Sequence, residues 1–310
     1  MLSMNHPLCG LSLALILLAA APSVSAAGDE PLRVVTTTPD LADLARRIGG
    51  ARVEAVSLTS GTEDFHAVRA RPSLLVRLSR ADVLIEMGLD LEHSWLPALL
   101  QSARNDRIRP GTPGFINVSS GIVPLEVPDD KTRKAGPDNH PQGNPHFNLS
   151  PTRARTIADN ILAGFLAVAP AHREEFAENH RRFVAELETR LAGWRERLAP
   201  FRGAAFIEHH SSFAYFAEEF GLRIVAKLEP KPGVSPSPDH LARVVEIAKQ
   251  ERVGIIVARP ANADLAKKVA AECGATAVVL PLSSTTEGDT AGYFEYIEHI
   301  VALFEKSLKR

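Results

Sequence analysis

The order in which strand-like and helix-like segments follow one another constrains the fold of this chain most strongly. Short runs rich in valine, isoleucine and threonine alternate with segments whose apolar residues recur at helical spacing. Such an order predicts parallel sheets covered by helices, because parallel strands need long crossover connections. The predicted strands are 32–37, 53–58, 83–85 and 115–118 in the first half and 204–207, 224–225, 253–257 and 277–280 in the second.

One long stretch separates the two halves. Residues 171–198 contain no proline and a single glycine, Gly193, which predicts a helix of roughly 40 Å at 1.5 Å per residue. A plain surface helix would fit the same pattern, but the length exceeds what one small lobe needs. We therefore predict an α/β protein with two lobes, 28–170 and 199–310, each with a mostly parallel sheet flanked by helices, joined by one long helix at 171–198.

The amino-terminal segment is interpreted as a secretory signal. An apolar run at 11–21 precedes small residues suited to cleavage, Val24-Ser25-Ala26. The run falls short of the roughly 20 apolar residues that span a membrane. We therefore predict a signal peptide at 1–27 and an exported, periplasmic protein. Cleavage would remove Cys9 and leave Cys273 alone, so no intrachain disulfide is expected in the mature chain.

Three histidines occupy loops that join a predicted strand to a predicted helix. They are His66, His146 and His210. His146 follows Pro145 on a short turn and, taken alone, could equally cap the helix that Pro151 begins. Three such loops together predict a cleft at the carboxyl ends of parallel strands. Imidazole suits zinc, and three histidines leave one place in a tetrahedron, so we predict that these three side chains bind a metal ion.

Three further residues are weighed as contributors to this site. His209 is interpreted as an outward-facing residue or as a neighbour of a ligand, and His140 as a solvated residue of the loop 128–145. Both are kept as reserve ligands. Glu229 could hydrogen bond a ligand imidazole, and a role as a helix cap or a loop residue is equally consistent with the sequence. No function is assigned to the histidines in predicted helices, His172, His180, His240 and His299.

On these motifs the chain resembles the cluster A-I family of periplasmic zinc and manganese solute-binding proteins of ABC importers, over essentially all of its mature length. An early His followed by Pro-Ser matches His66 and Pro72-Ser73. A His ahead of an aromatic helix start and Gly-Leu matches His210, Tyr215-Phe216 and Gly221-Leu222. The family pattern Asp-Pro-His-x-Trp-Leu-Asp-Pro matches Asn144-Pro145-His146-Phe147-Asn148-Leu149-Ser150-Pro151. The resemblance implies two α/β lobes joined by one long helix, with the metal between them.

One family position departs from the pattern. Leu280, in Leu280-Pro281-Leu282, stands where the family often has a ligand Asp. The fourth coordination position is therefore left to water or to a carboxylate of the next loop, Glu287 or Asp289. Losing this oxygen ligand makes the set richer in nitrogen, which favours Zn²⁺ over manganese.

The expected function is capture of a divalent metal, most readily zinc, and its delivery to an ABC permease in the inner membrane. The protein is expected to act as a monomer and not as an enzyme. A periplasmic zinc hydrolase that uses the open coordination position is the alternative, and an adhesin or a metal store on the same scaffold is a third. The net charge of −2 and the lack of a basic block indicate no nucleic-acid partner.

Overall fold

The computed structural model describes residues 30–129, 138, 140–231 and 233–309. Within them the chain forms two four-stranded sheets, and the strands of each sheet are all parallel. The first contains β1 (Leu32–Thr36), β2 (Val53–Ser57), β3 (Val83–Glu86) and β4 (Phe115–Asn117), in the order β2-β1-β3-β4. The second contains β5 (Ala205–Glu208), β6 (Arg223–Lys227), β7 (Ile255–Ala258) and β8 (Thr276–Val279), in the order β6-β5-β7-β8.

Helices flank both sheets. In the first lobe α1 (Pro39–Gly49), α2 (Pro72–Arg80) and α3 (Leu96–Ala103) alternate with the strands. In the second lobe α6 (Ala214–Phe220), α7 (Pro238–Gln250) and α8 (Ala263–Cys273) do the same, and α9 (Tyr293–Leu308) ends the described chain. Each sheet reverses its strand order beside its first strand, and ligands of open α/β sheets bind outside the carboxyl ends of strands at such points.

One long helix, α5 (Arg173–Leu198), connects the lobes, and α4 (Pro151–Val168) precedes it. Helix α5 has 26 residues, so it is about 39 Å long. It begins two residues later than predicted, because Pro170–His172 form a separate 3₁₀ turn. The α/β fold with two lobes and one long connecting helix is confirmed.

Among the described residues, the largest of three apolar clusters runs through both lobes and the helices α4 and α5. It includes Val34 of the first sheet and Ile255 of the second. Phe294 of α9 stacks on Phe183 of α5 with ring centroids 5.3 Å apart, and Trp194 of α5 lies 6.4 Å from the same ring. Buried aromatic side chains contribute much of a core's stability, so the long helix is packed firmly between the lobes.

The sequence pattern predicts helices at 91–100 and 211–220, but both begin later in the structure. The predicted helix at 91–100 starts at Leu96, since the Glu92 carboxylate accepts hydrogen bonds from the backbone N–H groups of Met87 and Gly88 and holds that segment as a loop. The helix predicted from Ser211 starts at Ala214. There the carboxylate of Glu208 accepts the backbone N–H groups of Ser212 and Phe213.

Part of the predicted chain lies outside the described residues. The predicted signal peptide at 1–27 belongs to it, as do residues 130–137 and 139 of the predicted loop 128–145. Among the described residues, no helix is both long enough and apolar enough to cross a membrane.

Candidate metal centre

The three histidines predicted as ligands lie together in the fold. His66, His146 and His210 each offer a ring nitrogen, and these atoms all lie within 4.8 Å of one another. Their ring centroids are 5.1–5.5 Å apart, and all three side chains are buried. Zinc–nitrogen bonds of 2.0–2.1 Å put ligand nitrogens of a tetrahedral site about 3.4 Å apart. Small side-chain movements would therefore suffice to enclose an ion.

The ring and the backbone of His66 are held in place by neighbouring side chains. Asp64 Oδ1 accepts the backbone N–H of His66 at 3.0 Å and lies 2.9 Å from His66 Nδ1. Asp138 Oδ1 lies 3.2 Å from the same nitrogen. The indole of Trp95 donates to the Phe65 carbonyl at 2.8 Å. These contacts direct Nε2 of His66 away from the acids, and that buried nitrogen has no hydrogen-bond partner among the described residues.

His146 is fixed by its backbone. Its N–H donates to Asn144 Oδ1 at 2.9 Å, and a short 3₁₀ turn at Phe147–Leu149 follows directly. Ser150 then caps α4, and Pro151 occupies its first turn, as the sequence predicts. The ring nitrogen Nε2 of His146 is buried and, in the described part of the chain, has no hydrogen-bond partner.

His210 follows β5 and is oriented by an acid that follows β6. Its Nδ1 lies 2.8 Å from Glu229 Oε2. Glu229 Oε1 lies 3.8 Å from Nδ1 of the buried His209, which is outside the group of three. Of the two roles considered for Glu229, the structure shows the contact with an imidazole of the cluster. Carboxylates in this position fix the tautomer of a metal-binding histidine.

Burial favours the uncharged form of two of the three imidazoles, those of His66 and His146. It lowers the pKa of His66 and holds that of His146 well below the ordinary value of 6.5, and repulsion between neighbouring imidazoles acts in the same direction. Burial tends to raise the pKa of Asp64, but its bonds to His66 and Arg259 outweigh this and lower it. The neutral imidazole is the form that binds a metal, so the site is prepared for a cation near neutral pH.

His140 differs from its predicted surroundings. The expectation of a solvated residue is wrong, because both of its ring nitrogens are buried. Its ring lies 5.0 Å from that of His66, and burial lowers its pKa to about 3. The loop composition gave no indication of this burial. The only sequence signal was a histidine six residues ahead of His146.

The two carboxylates considered for the fourth position lie elsewhere. Glu287 and Asp289 are exposed, and within the described ranges neither belongs to a group of closely spaced ligand atoms. Leu280 is buried in the main apolar core. Of the candidates considered from the sequence, His140 is thus the one whose ring lies beside the cluster.

The fold and this cluster together define a class, the two-lobed α/β proteins with a candidate metal site of three histidines. A family model described as zinc-uptake complex component A, periplasmic, matches residues 34–307, and the chain belongs to this family. The family consists of solute-binding proteins for metal uptake, not of enzymes.

Individual relatives differ in the metal that they are named for. The zinc-binding lipoprotein AdcA of Streptococcus pneumoniae strain R6 is 27% identical over 291 residues, which cover 91% of this chain and 55% of that protein. The chain thus spans about half the length of this relative. The manganese-binding lipoprotein MntA of Bacillus subtilis is 28% identical over 83% of this chain and 78% of its own.

A solved structure shows the same fold. The crystal structure of ZnuA matches 90% of this chain and 99% of its own with a TM-score of 0.77 at 24% identity. At this level of identity the match supports the fold alone.

Proposed function

We propose that this chain is the periplasmic substrate-binding component of an ABC importer for a divalent transition metal, most readily zinc. His66, His146 and His210 would bind the ion between the lobes, and the protein would deliver it to a permease in the inner membrane. The proposed lobes are 28–170 and 199–310, with 171–198 as the connection. The protein is proposed to act as a monomer after removal of residues 1–27.

One observation carries the proposal. Nε2 of His66 and Nε2 of His146 are buried without partners in the described part of the chain, in a group whose ligand atoms lie within 4.8 Å of one another. A buried polar atom without a partner costs about 1–3 kcal/mol. A metal ion would bind both nitrogens and the third imidazole at once. It would thereby offset the free-energy cost of burying these nitrogens without hydrogen-bond partners.

The surroundings of the cluster support binding over catalysis. Asp64 bonds His66 and forms an ion pair with Arg259 at 2.9 Å, and Glu229 bonds His210. Each of these acids therefore orients an imidazole instead of standing free to activate water. The names of AdcA and MntA, zinc-binding and manganese-binding, support the same class of ligand.

Metal analysis of the purified protein tests the proposal. We expect one zinc per chain, and we expect His66→Ala, His146→Ala and His210→Ala each to weaken zinc binding sharply. His180→Ala is the matched control, because His180 pairs with Asp159 at 2.7 Å on the helices instead. Undiminished zinc binding by the triple variant would show that the site is wrong.

Delivery is tested in cells. Deletion of the gene should reduce zinc uptake at low external zinc, and the wild-type gene but not the His146→Ala gene should restore it. Unchanged uptake after deletion would contradict the transport role while leaving metal binding intact.

A further inference from the structure

Asn144 uses every polar atom that it has. Its Oδ1 accepts the backbone N–H of His146 at 2.9 Å. Its Nδ2 donates to Glu126 Oε2 at 2.8 Å and to the Ser211 carbonyl at 2.9 Å. Its own N–H donates to the Leu125 carbonyl at 2.8 Å, and its carbonyl accepts the Tyr215 hydroxyl at 2.6 Å. A buried amide with all of its hydrogen bonds made has one defined orientation.

The Glu126 carboxylate accepts hydrogen bonds from side chains of both lobes. Its Oε2 accepts Asn144 Nδ2 and, at 2.6 Å, the Ser211 hydroxyl. Its Oε1 accepts Lys227 Nζ at 2.7 Å. Burial would raise the pKa of Glu126, but these hydrogen bonds and the charge of Lys227 lower it instead. The carboxylate is therefore charged at neutral pH and acts only as an acceptor.

The contacts form a path between two of the proposed ligands. Asn144 holds the backbone of His146, and through its amide it reaches Ser211, the residue after His210. Glu126, which follows β4 of the first lobe, bonds the same amide and the side chain of Ser211 in the second. Every step of this path is a hydrogen bond between two protein groups.

We propose that Asn144 and Glu126 are positioning residues of the metal site, a donor–acceptor bridge that fixes His146 relative to His210. The inference rests on the proposed function, because its effect is read in metal affinity. The bridge requires an amide at position 144. An aspartate there would bring a second carboxylate against Glu126 and a negative oxygen against the Ser211 carbonyl, with no hydrogen to donate to either.

The first test replaces only the amide. Asn144→Asp keeps the acceptor for the His146 N–H and the size of the side chain. We expect zinc affinity, measured by competition with a chromophoric chelator, to fall about tenfold, the scale seen when partners of metal ligands are removed. Asn160→Asp is the matched control. Asn160 Nδ2 likewise donates two hydrogen bonds, to the carbonyls of Val118 and Ser120, but it lies away from the site. The Asn160→Asp variant should therefore bind zinc with the affinity of the wild type.

The second test exchanges donor and acceptor. In the double variant Glu126→Gln with Asn144→Asp, the glutamine amide can donate to the new carboxylate and restore the bridge with reversed polarity. We expect its zinc affinity to exceed that of Asn144→Asp, so that the two changes are not additive. Thermal unfolding of the metal-free variants identifies any that fail to fold.

The outcomes separate the inference from the function on which it rests. If the wild type binds zinc and Asn144→Asp binds it equally well, the bridge does not position the site. Losses that simply add in the double variant overturn the bridge in the same way. If the wild type binds no zinc, the proposed function itself fails.

Discussion

The Nδ1 atom of His210 lies 2.8 Å from Oε2 of Glu229, although the two residues follow different strands of the second sheet. Burial would raise the pKa of Glu229, but the hydrogen bond and charge interaction with His210 lower it. The carboxylate thus remains charged and holds the ring so that its other nitrogen is available to a metal. Acids in this position also make the imidazole a better electron donor.

Glu229→Gln should therefore weaken zinc binding about tenfold. The amide oxygen can still accept the Nδ1–H, but the negative charge that favours the metal-bound imidazole is lost. Competition titration measures the change. Asp159→Asn serves as the control, because it alters a similar pair, His180 Nε2 to Asp159 Oδ1 at 2.7 Å, outside the site. Equal affinities of Glu229→Gln and the wild type would mean that Glu229 only supports the loop.

The sequence was sufficient to predict the fold and the convergence of three histidines. Strand and helix patterns depend on local composition, and parallel strands bring the loops at their carboxyl ends to one edge. His210 illustrates this, since it comes two residues after β5 ends at Glu208. The pattern places the starts of two helices too early; they begin at Leu96 and Ala214. In the segments before them, backbone N–H groups donate hydrogen bonds to the carboxylates of Glu92 and Glu208.

The surroundings of the histidines could not be predicted in the same way. Asn144, Glu126 and Ser211 are distant in sequence, and their contacts exist only once the lobes have packed. The burial of His140 depends likewise on contacts with residues such as His66. Local composition reports that a segment is a loop, but it does not report what covers that loop.

Protons should compete with a metal for His66 and His146 only below the pH at which free imidazole titrates. Burial lowers the pKa of His66 and His146 from 6.5, so protons do not compete with the metal until the pH falls further. Zinc affinity should therefore be nearly constant above 6.5 and should decline below it. The same shift makes the metal-free protein less stable in acid, because the unfolded chain takes up protons first.

Titrations with a chelator of known pH dependence, together with unfolding of the metal-free protein across the same range, measure both effects. A marked loss of zinc affinity already above pH 6.5 would contradict the lowered pKa values.

His140→Ala distinguishes the candidates for the fourth position. The ring of His140 lies 5.0 Å from that of His66, and its two nitrogens are buried. We expect this variant to lose about tenfold in zinc affinity, less than His146→Ala loses. Glu287→Ala and Asp289→Ala, both at exposed positions, should bind zinc as the wild type does. If either carboxylate variant lost zinc affinity and His140→Ala did not, the fourth ligand would be a carboxylate and not His140.

The predicted choice of metal rests on the donor atoms that the cluster offers. The relatives do not decide it, because the zinc-named AdcA and the manganese-named MntA are 27% and 28% identical to this chain. The cluster offers three imidazole nitrogens, and Leu280 packs in the apolar core where the family pattern often has an aspartate. Nitrogen ligands suit zinc, manganese prefers oxygen, and the intrinsic order of affinities also ranks zinc higher.

Competition between the two metals on the wild-type protein should therefore favour zinc at least tenfold, roughly. Nickel and copper should also bind in vitro, since imidazole accepts both. His66→Ala should weaken zinc more than manganese, because it removes a nitrogen ligand on which zinc depends more strongly. Manganese binding as tight as zinc in the wild type would contradict the predicted preference for zinc.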